Sequence, residues 1–287
     1  MSIKSFIKRN FPFILKAKRS LEDQTSNFNA QLSEIYKARQ LRHPNKLCRY
    51  GRRVFCQSDE DGLTMEITKR LNISKGTFIE LGIGNGTENN TLILLSQGFR
   101  GAWIGGENLA FEIPSNSKQL YYQKAWITLD NILQLIQNAS KFLNIKTPDI
   151  LSIDLDGNDY YFLKVLLQKD IRPKLIICEI NGIFPPPINF LVEYNPNHVW
   201  KRDDYQGASL SKMNELLSNF GYKLIVCNAA TGVNAYFIEE KNIHLFPETP
   251  DDLNQIYVEP LHINYTGFTF PRSIKTILRI IENRESE

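Results

Sequence analysis

The sequence predicts an α/β fold whose sheet is mostly parallel, with one antiparallel strand near the C-terminus. From Val54 onward, short apolar segments of strand character alternate with segments of helical periodicity. The segments 149–154 and 174–179 are nearly continuous apolar runs, which is typical of parallel strands covered on both faces. The last two predicted strands, 224–227 and 233–238, form a hairpin. Five β-α units that end in a hairpin predict a parallel sheet with one antiparallel strand.

Local signals give the order and limits of the elements. An acidic stretch at 59–62 marks the start of a first helix. Thr128 and Ser209 are suitable N-caps for two later helices, and Gly221 supplies a left-handed stop. The predicted strands span 77–80, 101–105, 120–126, 149–154, 174–179, 224–227 and 233–238. The other predicted helices span 88–97, 128–143, 159–168 and 209–220.

Length and composition fit one large domain with appendages. The 287 residues include 42% hydrophobic and 23% charged residues, which is ordinary for a globular chain. We expect a basic helical appendage over 1–53, a main domain over 54–240 and a C-terminal extension over 241–287. The net charge of +3 is too small to indicate nucleic acid as a partner. The four cysteines lack metal-site or redox spacing and predict reduced thiols in a cytoplasmic protein.

The two ends of the chain carry apolar and basic residues together. No run of eighteen apolar residues exists, so no membrane-spanning helix is predicted. The segment 1–21 mixes aromatic and aliphatic residues with lysine and arginine. Such a segment fits either peripheral contact with an anionic membrane surface or a solvated helix packed on the domain by one face. Oligomeric state is left open.

A glycine-rich loop follows the first predicted strand. The strand ends in Glu80 and is followed by Gly82, Gly84 and Gly86. Glycines allow tight turns and close approach of the backbone to a ligand. The pattern acidic-x-G-x-G-x-G differs from the G-x-G-x-x-G of dinucleotide sites, and it favours S-adenosylmethionine, which has an adenosine and an amino acid end but no pyrophosphate. Glu107, at the end of the next strand, is the candidate acceptor for the two ribose hydroxyls.

Acidic and amide residues follow the fourth and fifth predicted strands. Asp154 and Asp156 end one strand, and Glu179 and Asn181 end the next. Ligands of open α/β sheets bind at the carboxyl ends of strands. Asp154 is a candidate for the ammonium of the cofactor, while Asp156, Glu179 and Asn181 are candidate ligands of Mg²⁺ or Mn²⁺. One carboxylate is alternatively a general base, and Asp159 is interpreted as a helix N-cap.

With these residues identified, the chain resembles the FkbM-like methyltransferases and their relatives from surface-polysaccharide clusters. The resemblance covers about 54–238. It is carried by the blocks Phe55–Gly62, Phe78–Gly86, Trp103–Glu107, Ser152–Asp159, Glu179–Pro185, Tyr205–Leu210, Gly221–Tyr222 and Val233–Phe237. Cys56 stands where the family usually has serine.

The resemblance implies a Rossmann-like class I methyltransferase sheet and S-adenosylmethionine as cofactor, with Gln57 among the residues that bind it. It implies methyl transfer to an oxygen, commonly on a sugar or glycan-linked group of a surface polysaccharide such as a capsule. Some relatives use a divalent metal and others do not.

The segment 183–206 is the expected acceptor wall, since it is rich in proline and aromatic residues. A sugar hydroxyl needs a base or a metal to become a nucleophile, and His198 and Asp156 are the candidate catalytic residues. Two other functions remain open. One is a nicotinamide-dependent oxidoreductase, which the glycine spacing and terminal hairpin disfavour. The other is a non-catalytic methyltransferase-like module that binds a partner or membrane through the basic N-terminus and an amphipathic tail at 273–284.

Overall fold

The computed structural model describes residues 12–261, apart from several side chains of the first helix. A seven-stranded sheet runs through it in the order β3-β2-β1-β4-β5-β7-β6. The strands are β1 (Thr77–Leu81), β2 (Arg100–Gly105), β3 (Leu120–Lys124), β4 (Ile150–Ile153), β5 (Leu175–Glu179), β6 (Tyr222–Cys227) and β7 (Asn234–Glu239).

Helices flank the sheet. They are α1 (Pro12–Arg42), α2 (Glu60–Arg70), α3 (Leu92–Ser96), α4 (Ile132–Leu143), α5 (Asp159–Gln168), α6 (Leu210–Asn219) and α7 (Leu253–Ile256). Two 3-10 helices span Lys46–Tyr50 and Glu240–Leu245. Ser209 caps α6 by accepting a hydrogen bond from the backbone N–H of Lys212, as its residue type predicts.

Strand pairing confirms the predicted fold class. β1 to β5 pair in parallel, whereas β7 is antiparallel to both of its neighbours, β5 and β6. One reversed strand near the C-terminus therefore completes the mostly parallel, Rossmann-like α/β sheet that the sequence predicts. The chain runs outward from β1 to β3 and then returns to the other side of β1 with β4, so the switch point lies between β1 and β4.

The core lies on both faces of the sheet. Ile79 and Leu81 of β1 pack in one cluster with α4, α5 and α6, while Phe78 packs in another with α2 and α3. Adjacent strand residues point to opposite faces, so a strand covered on both sides must be apolar throughout. This explains the continuous apolar segments, in which buried polar residues such as Glu80 and Ser152 are exceptions.

The helix predicted over 88–97 is shorter than expected, because α3 begins only at Leu92. The carboxylate of Glu80 accepts hydrogen bonds from the backbone N–H groups of Asn90 and Thr91. These bonds hold 89–91 in an irregular turn around the buried acid. The helical periodicity was present in the sequence, but a tertiary hydrogen bond overrides it.

The end of the N-terminal appendage is fastened to the main domain. Asn45 is fully buried and donates from Nδ2 to the carbonyl oxygen of Ile225 in β6, 2.7 Å away. Gln40, near the end of α1, donates to Asp59 Oδ2. Packing with the domain therefore begins before residue 54. Residues 1–11 and 262–287, which contain the predicted amphipathic tail, lie outside the described residues.

Within the described range, no helix has both the length and the apolar character needed to cross a bilayer. All four cysteines are free and buried. Burial raises the pKa of each thiol above its ordinary value. Neutral thiols in these positions are packing groups, as the sequence indicated.

Candidate functional site

A cavity of about 610 Å³ opens at the carboxyl ends of β1, β2, β4 and β5. It lies at the switch point, where an open α/β sheet leaves a crevice for a ligand. The residues predicted for the cofactor and the metal that line it are Gln57, Glu80, Gly82, Gly84, Glu107, Asp154, Asp156 and Glu179. The topology thus brings together side chains that are more than 100 residues apart.

The three glycines of the loop have different environments, although all have positive φ. A Cβ on Gly82 would lie 1.6 Å from the backbone oxygen of Asp154, so this glycine allows β1 and β4 to meet. A Cβ on Gly84 would meet nothing within 4 Å, so the backbone there is open to the cavity. A Cβ on Gly86 would meet the side chains of Leu109 and Phe111, and Gly86 does not line the cavity, so its role in cofactor binding stays a prediction.

Glu80 lines the cavity, but its carboxylate is hydrogen-bonded to the loop that follows β1. Besides the N–H groups of Asn90 and Thr91, it accepts a hydrogen bond from the hydroxyl of Thr91. Burial raises the pKa of Glu80, and these hydrogen bonds oppose the shift. The Thr91 hydroxyl also accepts a hydrogen bond from the buried indole of Trp103. Glu80 therefore shapes the loop, and Trp103 is a core residue, as interpreted from the sequence.

Glu107 and Gln57 are exposed side chains on the cavity wall. Glu107 lies just beyond the end of β2, where an acceptor for ribose hydroxyls was predicted. Its backbone oxygen accepts a hydrogen bond from the hydroxyl of Tyr122. Its carboxylate has no hydrogen-bond or ion-pair partner among residues 12–261, which leaves both oxygen atoms available to a ligand.

Three carboxylates converge on the rim formed by β4 and β5. Asp154, Asp156 and Glu179 each offer an oxygen atom, and these atoms lie within 4.8 Å of one another. Burial and the neighbouring acids raise the pKa of Asp154 and Glu179 well above their ordinary values. At this separation the mutual repulsion of the carboxylates favours a proton on one of them. A divalent cation bound by oxygen atoms would replace that proton.

Asp156 and His198 meet at the mouth of the cavity. Asp156 has a left-handed backbone with φ 55°, and its side chain is exposed and lines the cavity. Although the side chain is exposed at the mouth, the surrounding cavity wall excludes part of its water and so raises the pKa of Asp156. The nearby His198 opposes this shift in part. His198 Nε2 lies 3.1 Å from the backbone oxygen of Asp156, so this nitrogen is placed to donate its proton. His198 does not itself line the cavity. This placement favours a positioning role over that of base.

The side chain of Asn181, a predicted metal ligand, forms hydrogen bonds with the chain that follows β5. It is buried, and Nδ2 donates to the backbone oxygens of Asp204 and Gln206, each at 2.9 Å. Its Oδ1 accepts the N–H of Ile183 at 3.2 Å. The amide organises the chain beyond β5 and does not line the cavity, so its metal role stays a prediction, while Asp154 lies with Asp156 and Glu179 in the acidic group.

The sequence interpretation made Asp159 the N-cap of this helix, but Asn158 takes that position and Asp159 is the first residue of α5. Its carboxylate accepts the N–H groups of Leu155 and Gly157, which fixes the loop that carries Asp156. Burial raises the pKa of Asp159 to about 6, against the effect of these hydrogen bonds.

The sequence interpretation missed a polar cluster at the far side of the cavity. Glu60 Oε1 accepts hydrogen bonds from Ser58 at 2.7 Å, Asn228 at 3.0 Å and Asn234 at 3.2 Å. Glu60 and Asn234 are buried yet line the cavity, as does Gln206. The sequence signals available were an acidic helix start and the motif block Phe55–Gly62. Neither indicates which acid faces a ligand.

The charge of the cavity is one-sided. Seven carboxylates line it, and no Lys, Arg or His residue does among the described side chains. The acids are Glu60, Glu80, Glu88, Glu107, Asp154, Asp156 and Glu179. Low-dielectric walls strengthen such a field, so the cavity favours ligands that carry positive charge.

Comparisons with known proteins give no family assignment. No family model and no curated protein match the sequence. Among solved structures, a Lactococcus lactis protein described as a hemolysin has a TM-score of 0.39 and 15% identity, covering 65% of this chain and 90% of that one. An O-methyltransferase from Bacillus cereus, solved with S-adenosylhomocysteine, has a TM-score of 0.37 and 11% identity, with 73% and 89% covered. A glycopeptide N-methyltransferase has a TM-score of 0.36 and 16% identity, with 64% and 93% covered. Values this low assign no activity.

Proposed function

We propose that this protein is an S-adenosylmethionine-dependent methyltransferase that methylates an oxygen on a sugar, glycan or glycan-linked group, in the synthesis of a surface polysaccharide. One observation carries the proposal: a cavity at the switch point in which the open backbone of Gly84 and the unengaged carboxylate of Glu107 line the same space. A nucleoside with an amino acid end fits these features.

The residues present fit the cofactor. Gly84 leaves room for close backbone contact, and Glu107 offers two oxygens at the position suited to a ribose. Asp154 is close to the centre of the rim and would hold an ammonium group. The alternative, a nicotinamide cofactor, carries a pyrophosphate, and a cavity lined by seven carboxylates opposes those negative charges.

The bound cofactor supplies a methyl group on a positively charged sulfonium. The chain must align the acceptor oxygen and remove its proton. A C–O bond forms as the S–CH₃ bond breaks, and the hydroxyl proton passes to a base. Asp156 is the proposed base, because it lines the cavity at the mouth and its pKa is raised by burial. His198, held against the backbone of Asp156, keeps that loop in place.

A divalent metal is a second, separable part of the proposal. Asp154, Asp156 and Glu179 offer three hard oxygen donors, which suits Mg²⁺ or Mn²⁺ and not a nitrogen- or sulfur-preferring ion. Such an ion would lower the pKa of an acceptor hydroxyl.

Methyl transfer from labelled S-adenosylmethionine to a panel of sugars and glycans tests the proposal. We expect label in the acceptor with wild type and strongly reduced transfer with Asp156→Asn. Exposed Asp251 is the matched control, and Asp251→Asn should retain full transfer. Full activity after chelator treatment would contradict the metal part of the proposal and leave the methyltransferase part standing. Absence of both cofactor binding and transfer would contradict the proposal itself.

A further inference from the structure

The far side of the cavity contains a carboxylate that has no cationic partner within the described residues. Glu60 is 2% exposed, and its hydrogen bonds all come from neutral donors: the N–H and hydroxyl of Ser58 and the amides of Asn228 and Asn234. Buried carboxylates are normally paired with a cation or a metal. Glu60 lies in the first turn of α2, where the helix dipole favours an acid, and it also lines the cavity, so a cationic ligand there would pair with its full charge.

Two buried amide oxygens on the wall of the same cavity have no hydrogen-bond partner among the described residues. They are Oδ1 of Asn234 and Oε1 of Gln206, on side chains that are 4% and 5% exposed. Asn234 already donates a hydrogen bond from Nδ2 to Glu60, and Oε1 of Gln206 accepts none from the described residues. An unpaired buried acceptor is unfavourable by about 1–3 kcal/mol. Both residues line the cavity, so a ligand that donates hydrogen bonds would satisfy them.

The fold places this group beside the reacting centre. Asn234 opens β7 and is the register partner of Glu179 at the end of β5. Gln206 is held just beyond β5 by the hydrogen bond from Asn181 to its backbone oxygen. A molecule whose hydroxyl reaches the Asp154–Asp156–Glu179 rim would therefore have another part against Glu60, Asn234 and Gln206.

We propose that Glu60, Asn234 and Gln206 form a subsite for a protonated amine on the methyl acceptor, so that the acceptor is an amino sugar or another amine-bearing polyol. The proposal rests on the proposed function for the identity of the second substrate. Three oxygen acceptors, one of them charged, match the three N–H donors of an ammonium group. Phosphosugars and nucleotide-diphosphate sugars are excluded, because the cavity wall is acidic throughout.

Three matched sugars test the inference: glucosamine, glucose and glucose 6-phosphate carry positive, no and negative charge on similar rings. The measurement is the rise in thermal unfolding midpoint as each sugar is titrated at constant ionic strength, slightly below neutral pH. It is made with and without saturating S-adenosylhomocysteine. We expect glucosamine to bind about tenfold or more tightly than glucose, with no binding of glucose 6-phosphate. Equal binding of glucose and glucosamine, or tighter binding of the phosphate, would overturn the proposal.

Two variants locate the amine. Glu60→Gln removes the charge and keeps the shape, and we expect it to abolish the preference for glucosamine. Gln206→Met replaces the side-chain amide, whose Oε1 has no partner among the described residues, with an apolar group of similar length, and we expect several-fold weaker glucosamine binding. Gln255→Met, at an exposed position on α7, is its control and should bind as wild type does.

The α-ammonium of S-adenosylmethionine is the other ammonium group that could occupy this subsite. If the subsite served the cofactor, Glu60→Gln would weaken S-adenosylmethionine binding and leave the glucosamine-to-glucose ratio unchanged, which would overturn the assignment to the acceptor. The sugar titrations without nucleoside do not depend on the cofactor. A protein that failed to bind S-adenosylmethionine but preferred glucosamine would refute the proposed function and retain the amine subsite.

Discussion

At the scale of single residues, neighbouring carboxylates divide structural and binding tasks. Glu80 is buried and binds the loop that follows it, whereas Glu107 is exposed and has no partner among the described residues. The difference follows from position: Glu80 lies within β1, while Glu107 lies two residues beyond the end of β2. A carboxylate inside a strand must find its hydrogen bonds in the protein, since water does not reach it.

Replacing Glu107 with alanine tests the ribose-binding assignment. We expect S-adenosylmethionine binding to weaken by roughly tenfold to a hundredfold, because two charge-assisted hydrogen bonds are lost. Calorimetry on Glu107→Ala and on the exposed control Glu112→Ala measures the effect. If both variants bound as wild type does, Glu107 would not contact the cofactor.

Replacing Gly84 with alanine, compared with a control glycine, distinguishes an effect of backbone strain from an effect of blocked cofactor binding. Alanine at φ 52° destabilises the fold by about 1–2 kcal/mol, and its methyl group projects into the cavity. Gly98 has φ 82° and only Lys75 Cγ nearby at 3.9 Å, so Gly98→Ala has similar strain far from the cavity. We expect both variants to lose similar stability in thermal unfolding and only Gly84→Ala to lose cofactor binding. Equal binding by the two would show that the open backbone is not a ligand contact.

At the scale of elements, the sheet was predictable because buried strands have a distinctive sequence. Continuous apolar runs identified β4 and β5, and the closely spaced final strands identified the reversal at β7. The start of α3 was not predictable, since it depends on hydrogen bonds that the backbone N–H groups of Asn90 and Thr91 donate to Glu80. The hydrogen bonds of Asn181 were not predictable for the same reason: its partners, the carbonyls of Asp204 and Gln206, are fixed only by the folded loop.

Asp149 joins the amino ends of three strands. It accepts hydrogen bonds from the N–H of Thr77 at 2.9 Å and from Lys174 Nζ at 2.7 Å. Burial alone would raise the pKa of Asp149, but the hydrogen bonds from Lys174 and Thr77 outweigh it and hold the pKa below its ordinary value. The ionised carboxylate therefore stabilises the junction of β1, β4 and β5.

Replacing Asp149 with asparagine should lower the free energy of unfolding by roughly 1 kcal/mol near neutral pH, a value reduced by the partial exposure of the pair. Because the folded pKa is depressed, the stabilisation is full above the ordinary aspartate pKa of about 3.9 and is lost as the pH falls through the folded value. Urea unfolding at several pH values measures this. If the difference in free energy of unfolding between wild type and Asp149→Asn did not become smaller in acid, the account would be contradicted. The variant Asp251→Asn, at an exposed position, is the control.

At the scale of the whole molecule, the topology explains why one cavity collects so many acids. Strands β1, β2, β4 and β5 end at the same edge, and each contributes at least one carboxylate there or in the loop beyond it. The order of strands made the rim predictable from sequence. The contribution of α2 was not predictable, because nothing in the sequence shows that Glu60 faces the same space as Glu179. Long-range proximity of this kind arises only from packing.

The central claim is that this cavity binds S-adenosylmethionine. Calorimetric titration of the purified protein with S-adenosylmethionine and, separately, with NAD⁺ tests it most directly. The account predicts one saturable site for S-adenosylmethionine, displaced by S-adenosylhomocysteine and weakened in Gly84→Ala, with no heat of binding from NAD⁺. Saturable binding of NAD⁺ with none of S-adenosylmethionine would contradict it.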